Sequence, residues 1–258
     1  MIATPMLSDF SVRLAFGLAV LLLCTSWRAV PLPFFRTHCQ IILGLLVLAA
    51  LDQSRLEGFD CGVWILIAGA VLAYLATITW GLGLPRFALP ATCLIALGGA
   101  VWLALASRAD LPASWAFGSA SRYASGFLLG AILTAMLLGH HYLTAPAMSI
   151  RELERLVLLI GWGLAVRGAI ALLGVWLVHS GKLPEVSTGT LESNWLLFFL
   201  MRWGMGFAGP VVATILAWRT VRIRSTQSAT GILYVAMILV LFGELTALIG
   251  ARMGGLLG

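Results

Sequence analysis

Apolar residues recur along this chain in stretches of about 20, each closed by a short polar interval, and about 20 residues is what a helix needs to cross the hydrocarbon of a bilayer. The pattern predicts an all-α integral membrane protein, a polytopic bundle of about eight transmembrane helices. The expected spans are Phe10 to Trp27, His38 to Leu51, Cys61 to Trp80, Phe87 to Ala106, Tyr123 to Tyr142, Leu153 to His179, Trp195 to Trp218, and Thr230 to Ala251. The second is the weakest. Its apolar core is short, so the helix either extends back through Phe34 and Phe35 or sits at a thin point. Membrane strands are not expected, because the ten-residue alternation of a barrel wall is missing. The loops are too short to fold alone, which predicts one transmembrane domain over 1–258 with no soluble domain.

Composition agrees with this reading. Hydrophobic residues make up 61% of the chain and charged residues only 10%, with a mean hydropathy of +1.02. Soluble domains run near a quarter charged.

Charge adds an orientation. Loops on one side carry Arg28, Arg36, Arg86, Arg151, Arg155, Arg219, Arg222 and Arg224 against Glu152 and Glu154, a balance of +6. The other side holds Arg13, Arg55, Arg108, Arg122, Lys182 and Arg252 against seven acids (Asp9, Asp52, Glu57, Asp60, Asp110, Glu185 and Glu192), a balance of −1. Basic loops stay in the cytoplasm. The expectation is therefore a multi-pass protein of a bacterial-type inner (plasma) membrane with both termini outside. The high pI, about 9.7, is a topology signal, and no basic module for nucleic acid is present. Arg13 ahead of a short apolar run resembles a signal-peptide start. No A-x-A site follows, and Cys24 lacks the small residue that precedes a lipidated cysteine, so an uncleaved anchor is expected.

Three ionisable residues interrupt the apolar segments: Arg167, Arg202 and Glu244. A charge at bilayer depth costs about 2.5–3.5 kcal/mol even on insertion scales, so such residues face protein, water or a ligand. Arg202 lies seven residues in from Trp195, and Glu244 seven residues short of Ala251. Their depths match, which makes a direct Arg202–Glu244 pair geometrically reasonable. Arg167, twelve residues from His179, lies nearer the midplane. Gly206, Gly209 and Ala213 share a stripe with Arg202, and Gly163, Ala171 and Gly174 share one with Arg167. Small residues at these spacings let helices approach closely. On the last span Thr230, Tyr234, Met237 and Leu241 line up with Glu244, which makes Tyr234 a further candidate. Gly209-Pro210 is expected to kink the seventh span and free carbonyls beside the site. Glu244 can neutralise one arginine as structural glue. Two arginines against one glutamate leave +1, which suits an anionic ligand such as a carboxylate, phosphate, lipid headgroup or haem propionate.

Histidine supplies a second, separate signal. His38 opens the second span, and His140 and His141 close the fifth on the same face. Axial haem ligation in a bundle needs one imidazole from each of two helices at similar depth. His38 with His141 meets that minimum, and His141 continues the Gly130–Thr134 stripe more closely than His140. An interfacial or hydrogen-bonding role suits the same positions.

Other features read as structure. Ser149-x-x-Glu152 is a capping box. Trp80, Trp195 and Trp218 sit at span ends, where aromatic belts form. Gly126-x-x-x-Gly130 is a packing face. Cys24, Cys39, Cys61 and Cys93 are scattered singly, without a C-x-x-C pair. The three arginines of 219–224 serve topology, or bind anionic headgroups or a partner subunit. Walker A, G-x-S-x-G, H-E-x-x-H and C-x-x-C-H are all missing from the sequence, and no inverted repeat is evident.

The sequence leaves three functions open. One is a membrane subunit of an electron-transfer assembly that binds quinone or b-type haem and works with partner subunits. Quinone-anchoring subunits of respiratory enzymes and haem-handling synthases share this architecture, and no residue motif assigns the chain to either. The others are a small proton- or anion-coupled transporter and a structural or assembly subunit.

Overall fold

The computed structural model describes residues 4–110, 114–144, 150–180 and 195–252. It is all helical there: α1 (Met6–Cys24), α2 (Leu32–Glu57), α3 (Cys61–Gly81), α4 (Pro85–Asp110), α5 (Trp115–Thr144), α6 (Arg151–His179), α7 (Trp195–Phe199), a π-helical segment (Leu200–Ala208), α8 (Gly209–Arg222) and α9 (Thr226–Arg252). Counting α7, the π segment and α8 as one, eight helices among the described residues are long and apolar enough to span a membrane. An even count puts the start of α1 and the end of α9 on one face, called here the terminal face. The arginine-rich loops lie on the opposite, basic face.

Two helices form the centre. The apolar windows of α1 and α5 are 67% buried, against 28% for the α7–α8 span. Glycine allows this contact. A Cβ on Gly17 of α1 would overlap the backbone of Gly126 on α5, and one on Gly130 would overlap Gly17. The Gly126-x-x-x-Gly130 face is thus a notch for α1 within the same chain. Around this pair, α2 packs on α1 and α3, α4 on α1, α3 and α5, and α9 on α5 and α8.

Several boundaries differ from the expected ones for one reason: charged residues that looked like loop are buried in helices. α5 begins at Trp115, which brings Ser119, Ser121 and Arg122 inside the bundle. α1 begins at Met6 and buries both Asp9 and Arg13. α2 does extend back through Phe34 and Phe35, to Leu32, with a proline in its first turn where a missing N–H costs nothing. Trp80 is not part of an interfacial belt. It is 1% exposed and stacks on Phe35 with centroids 4.5 Å apart, because α2 reaches far enough to cover it. Trp218 is exposed, with Arg222 over its ring at 4.9 Å. The side chain of Trp195, the expected capping residue Ser149, and the loop charges Lys182, Glu185 and Glu192 lie outside the described residues; the N-cap of α6 is Ile150, with no side-chain cap hydrogen bond.

At the terminal face polar side chains tie helices end to end. Ser8 donates from its N–H (2.9 Å) and Oγ (2.8 Å) to Asp52 Oδ2. Asp60 caps α3 by accepting from Val63 N–H at 2.9 Å. Trp102 Nε1 donates to Gln53 Oε1 at 3.0 Å, joining α4 to α2.

Candidate functional site

Four helical elements bring one polar cluster together inside the apolar bundle. α9 contributes Glu244, whose Oε1 accepts from Arg167 Nε of α6 at 3.0 Å and from Arg202 Nη1 of the π segment at 3.4 Å. Its Oε2 accepts from Ser125 Oγ of α5 at 2.5 Å and from Arg167 Nη2 at 3.3 Å. Arg167 Nη1 donates to Ser121 Oγ at 3.2 Å. The three charged residues are 1%, 1% and 3% exposed. The structure therefore joins Arg167, Arg202 and Glu244, and Arg167 makes the shorter contact.

Arg202 is only half served. Nη1 has Glu244 and the Gly243 carbonyl, each at 3.4 Å, and the guanidinium lies over the Phe207 ring at 4.6 Å. Its Nη2 is buried and has no hydrogen-bond partner among the described residues. A buried donor on a charged group, left unmade, costs more than the bond itself would contribute. The cluster also keeps a formal charge of +1. A hydrogen-bond acceptor carrying negative charge or density would satisfy both.

The local backbone explains how Arg202 gets there. Pro210 has no N–H, so the carbonyl four residues back, on Gly206, loses its α-helical donor. The chain is wound as a π-helix there: Gly209 N–H bonds to the Gly204 carbonyl, five residues earlier. π turns are rare and are frequently found at functional sites. Gly206 lies directly on Gly243, so close that a Cβ on either would meet the other's Cα. That crossing lets a side chain as long as arginine fold back toward α9.

Tyr234 does not join the cluster. It is 39% exposed, while Leu233, Ala236, Val240 and Ala247 form the buried stripe of α9 with Glu244. Ten residues at 100° each leave Tyr234 about 80° from Glu244 around the helix. A heptad-like reading of the sequence conceals this drift.

A second buried network went unread in the sequence. Asp9 accepts from Arg13 Nε at 2.8 Å and Nη2 at 2.7 Å, and from Arg122 Nε at 3.3 Å. Arg122 also donates to Ser107 Oγ at 2.8 Å and ion-pairs with Asp110. Asp110 in turn accepts from Thr4 N–H at 2.9 Å. Two arginines and two aspartates cancel, so this network is neutral. Arg13 beside Asp9, four residues apart, was the available signal: an opposite-charge helical pair at the start of an apolar run.

The histidines are brought together in part. His38 is fully buried. Its Nδ1 is 2.8 Å from the Phe34 carbonyl, and its Nε2 has no partner among the described residues. The Phe34 ring packs against His38 at 4.1 Å and His141 at 6.2 Å between centroids. His140 is exposed. A macrocycle ligated by both His38 and His141 would have to displace Phe34, the group packed on both rings, so the residues as arranged do not fit a haem.

No protein family matches this chain, and neither a curated protein nor a solved structure is detectably similar to it.

Proposed function

We propose that this chain is a membrane-embedded ligand-binding subunit of an electron-transfer assembly, with a quinone carbonyl as the group accepted at Arg202. The observation that carries the reading is the buried Nη2 of Arg202, unpartnered among the described residues, in a cluster of net charge +1. A quinone head offers acceptor oxygens of the right kind, and residual positive charge favours the build-up of negative charge on them. Arg167 and Glu244 position Arg202, and Ser121 and Ser125 satisfy what remains of their hydrogen bonding. Soluble or membrane partner subunits would supply the electron donor or acceptor.

The chain is further proposed to lie in a bacterial-type inner membrane with its basic face in the cytoplasm and both termini outside. Moving Arg13, Arg122, Asp9 and Asp110 from loop to core takes two charges of each sign from the terminal face, so its balance stays at −1. The asymmetry supporting the orientation is unchanged.

The test is equilibrium binding of decylubiquinone to the protein in nanodiscs, followed by tryptophan fluorescence. Binding that weakens about ten-fold in Arg202→Gln, the worth of one hydrogen bond from a charged donor, is the expected result. Unchanged affinity in that variant would overturn the assignment to Arg202. The histidines as arranged do not fit a haem, and absorption spectroscopy checks that conclusion. A b-type absorption band in the purified protein, lost in both His38→Leu and His141→Ala, would put haem in place of quinone.

A further inference from the structure

The Arg202 guanidinium is 1% exposed, and the ring of Phe207, itself 9% exposed, lies against it at 4.6 Å. Arg167 is the last buried residue of α6. Beyond it, toward the terminal face, Leu172, Leu173 and Trp176 are exposed, as are Leu197, Phe199 and Leu200 on the facing span. Where the two helices meet, α6 presents Gly168. A Cβ built there would touch only the Phe207 ring, at 3.6 Å. Phe207 therefore has the Arg202 guanidinium over its face and a glycine at its edge. At Gly168 α6 offers the ring no side chain.

The π segment also carries Trp203. Trp203 lies beside Phe207 with centroids 5.2 Å apart, and Phe199 beside Trp203 at 6.4 Å. These aromatics form a run from the lipid boundary down to Arg202. At Gly204, in the same segment, a Cβ would meet nothing within 4 Å.

We propose that Phe207 and Gly168 form a lateral gate. Through it, a molecule dissolved in the bilayer, with an acceptor oxygen head and an apolar tail, places its head on Arg202 Nη2. The inference rests on the reading of Arg202 as a ligand site and deepens it: the ligand arrives from lipid, tail trailing between α6 and the π segment. Charge complementarity selects the head, because the cluster offers one unmet donor and one unneutralised positive charge. A quinone carbonyl, a fatty-acid carboxylate and a phospholipid phosphate share that chemistry.

The experiment uses three photoreactive probes in nanodiscs: decylubiquinone carrying an aryl azide on its head, palmitate carrying a diazirine, and phosphatidylglycerol carrying a diazirine. The readout is the rate at which label appears on the α9 peptide containing Gly243 and Glu244. Gly168→Leu fills the seam beside Phe207, and Gly168→Ala fills it less. Gly161→Leu is the control, because a Cβ there meets nothing within 4 Å. Circular dichroism and thermal unfolding verify that each variant is folded. The expected result is labelling by the quinone probe, slowed at least ten-fold by Gly168→Leu, less by Gly168→Ala, and unchanged by Gly161→Leu. Quinone labelling at the wild-type rate in folded Gly168→Leu would overturn the gate and leave the quinone reading standing. Labelling by palmitate or phosphatidylglycerol alone, with the same dependence on residue 168, would uphold the gate and overturn the quinone reading. Absence of label from every probe would overturn the gate.

Discussion

Arg167 Nε stands 3.0 Å from Glu244 Oε1, and Arg167 is the partner that holds this carboxylate in place. Arg202 meets the same oxygen at 3.4 Å. The two arginines are therefore not equivalent. Removing Arg167 strips Glu244 of its closest charge partner, whereas removing Arg202 leaves the Arg167–Glu244 pair intact and relieves a like-charge neighbour. Arg167→Met is expected to destabilise the folded protein by about 3–5 kcal/mol, the cost of breaking a buried pair. Arg202→Met is expected to cost about 1–2 kcal/mol. Thermal unfolding in detergent gives the order, and equal losses would contradict the asymmetry.

Glu244→Leu should be the most damaging single change at this site, because it leaves two guanidiniums facing each other without a counter-charge. Combining it with Arg167→Met and Arg202→Met removes every charge together, and well-packed apolar replacements of buried ion clusters are often neutral. The triple variant is expected to recover most of the stability lost in Glu244→Leu and to lose ligand binding altogether. A triple variant as unstable as the single one would show that packing, not charge, dominates.

The Asp9–Arg122 contact spans α1 and α5 at 3.3 Å. Asp9→Asn leaves Arg13 and Arg122 with only Asp110 between them, so a loss of about 3–5 kcal/mol is expected. A double-mutant cycle of Asp9→Asn with Arg122→Gln should return a coupling of about 0.5–3 kcal/mol, the range for residues in one network. Additive losses would mean that the two residues act separately.

Gly17 and Gly44 provide a matched contrast in close approach. A Cβ on Gly17 runs into the backbone of Gly126, while one on Gly44 meets nothing within 4 Å. Gly17→Val should therefore prevent accumulation of folded protein, and Gly44→Val should leave yield and unfolding temperature unchanged. Comparable yields for the two would contradict the α1–α5 seam.

His38 carries a different expectation. Its Nε2 is buried and unpartnered among the described residues, and the Phe34 carbonyl that its Nδ1 contacts also lies within the helical ladder. In the absence of a ligand on Nε2, His38→Leu should change stability by less than about 1 kcal/mol. A large loss, read by thermal unfolding, would show that Nε2 has a partner of its own.

The amino-acid pattern alone determined the membrane class, the eight spans and the identity of the charged residues at bilayer depth. Burying about 20 apolar residues per segment allows only helices in lipid, so hydropathy suffices for that part. It likewise exposed Arg167, Arg202 and Glu244, because a charge in such a segment is costly unless it faces protein, water or a ligand. Tertiary structure decided what the pattern left ambiguous. Asp9, Arg13, Arg122 and Asp110 sit near span ends, where a charge is equally at home in a headgroup region or in the core, and only the arrival of α1 against α4 and α5 puts them inside. Tyr234 left the site because helical drift over ten residues turns it toward lipid. The preference of Glu244 for Arg167, the orphaned donor of Arg202 and the Phe207–Gly168 seam all depend on distances between separate helices. No spacing within one helix encodes those distances.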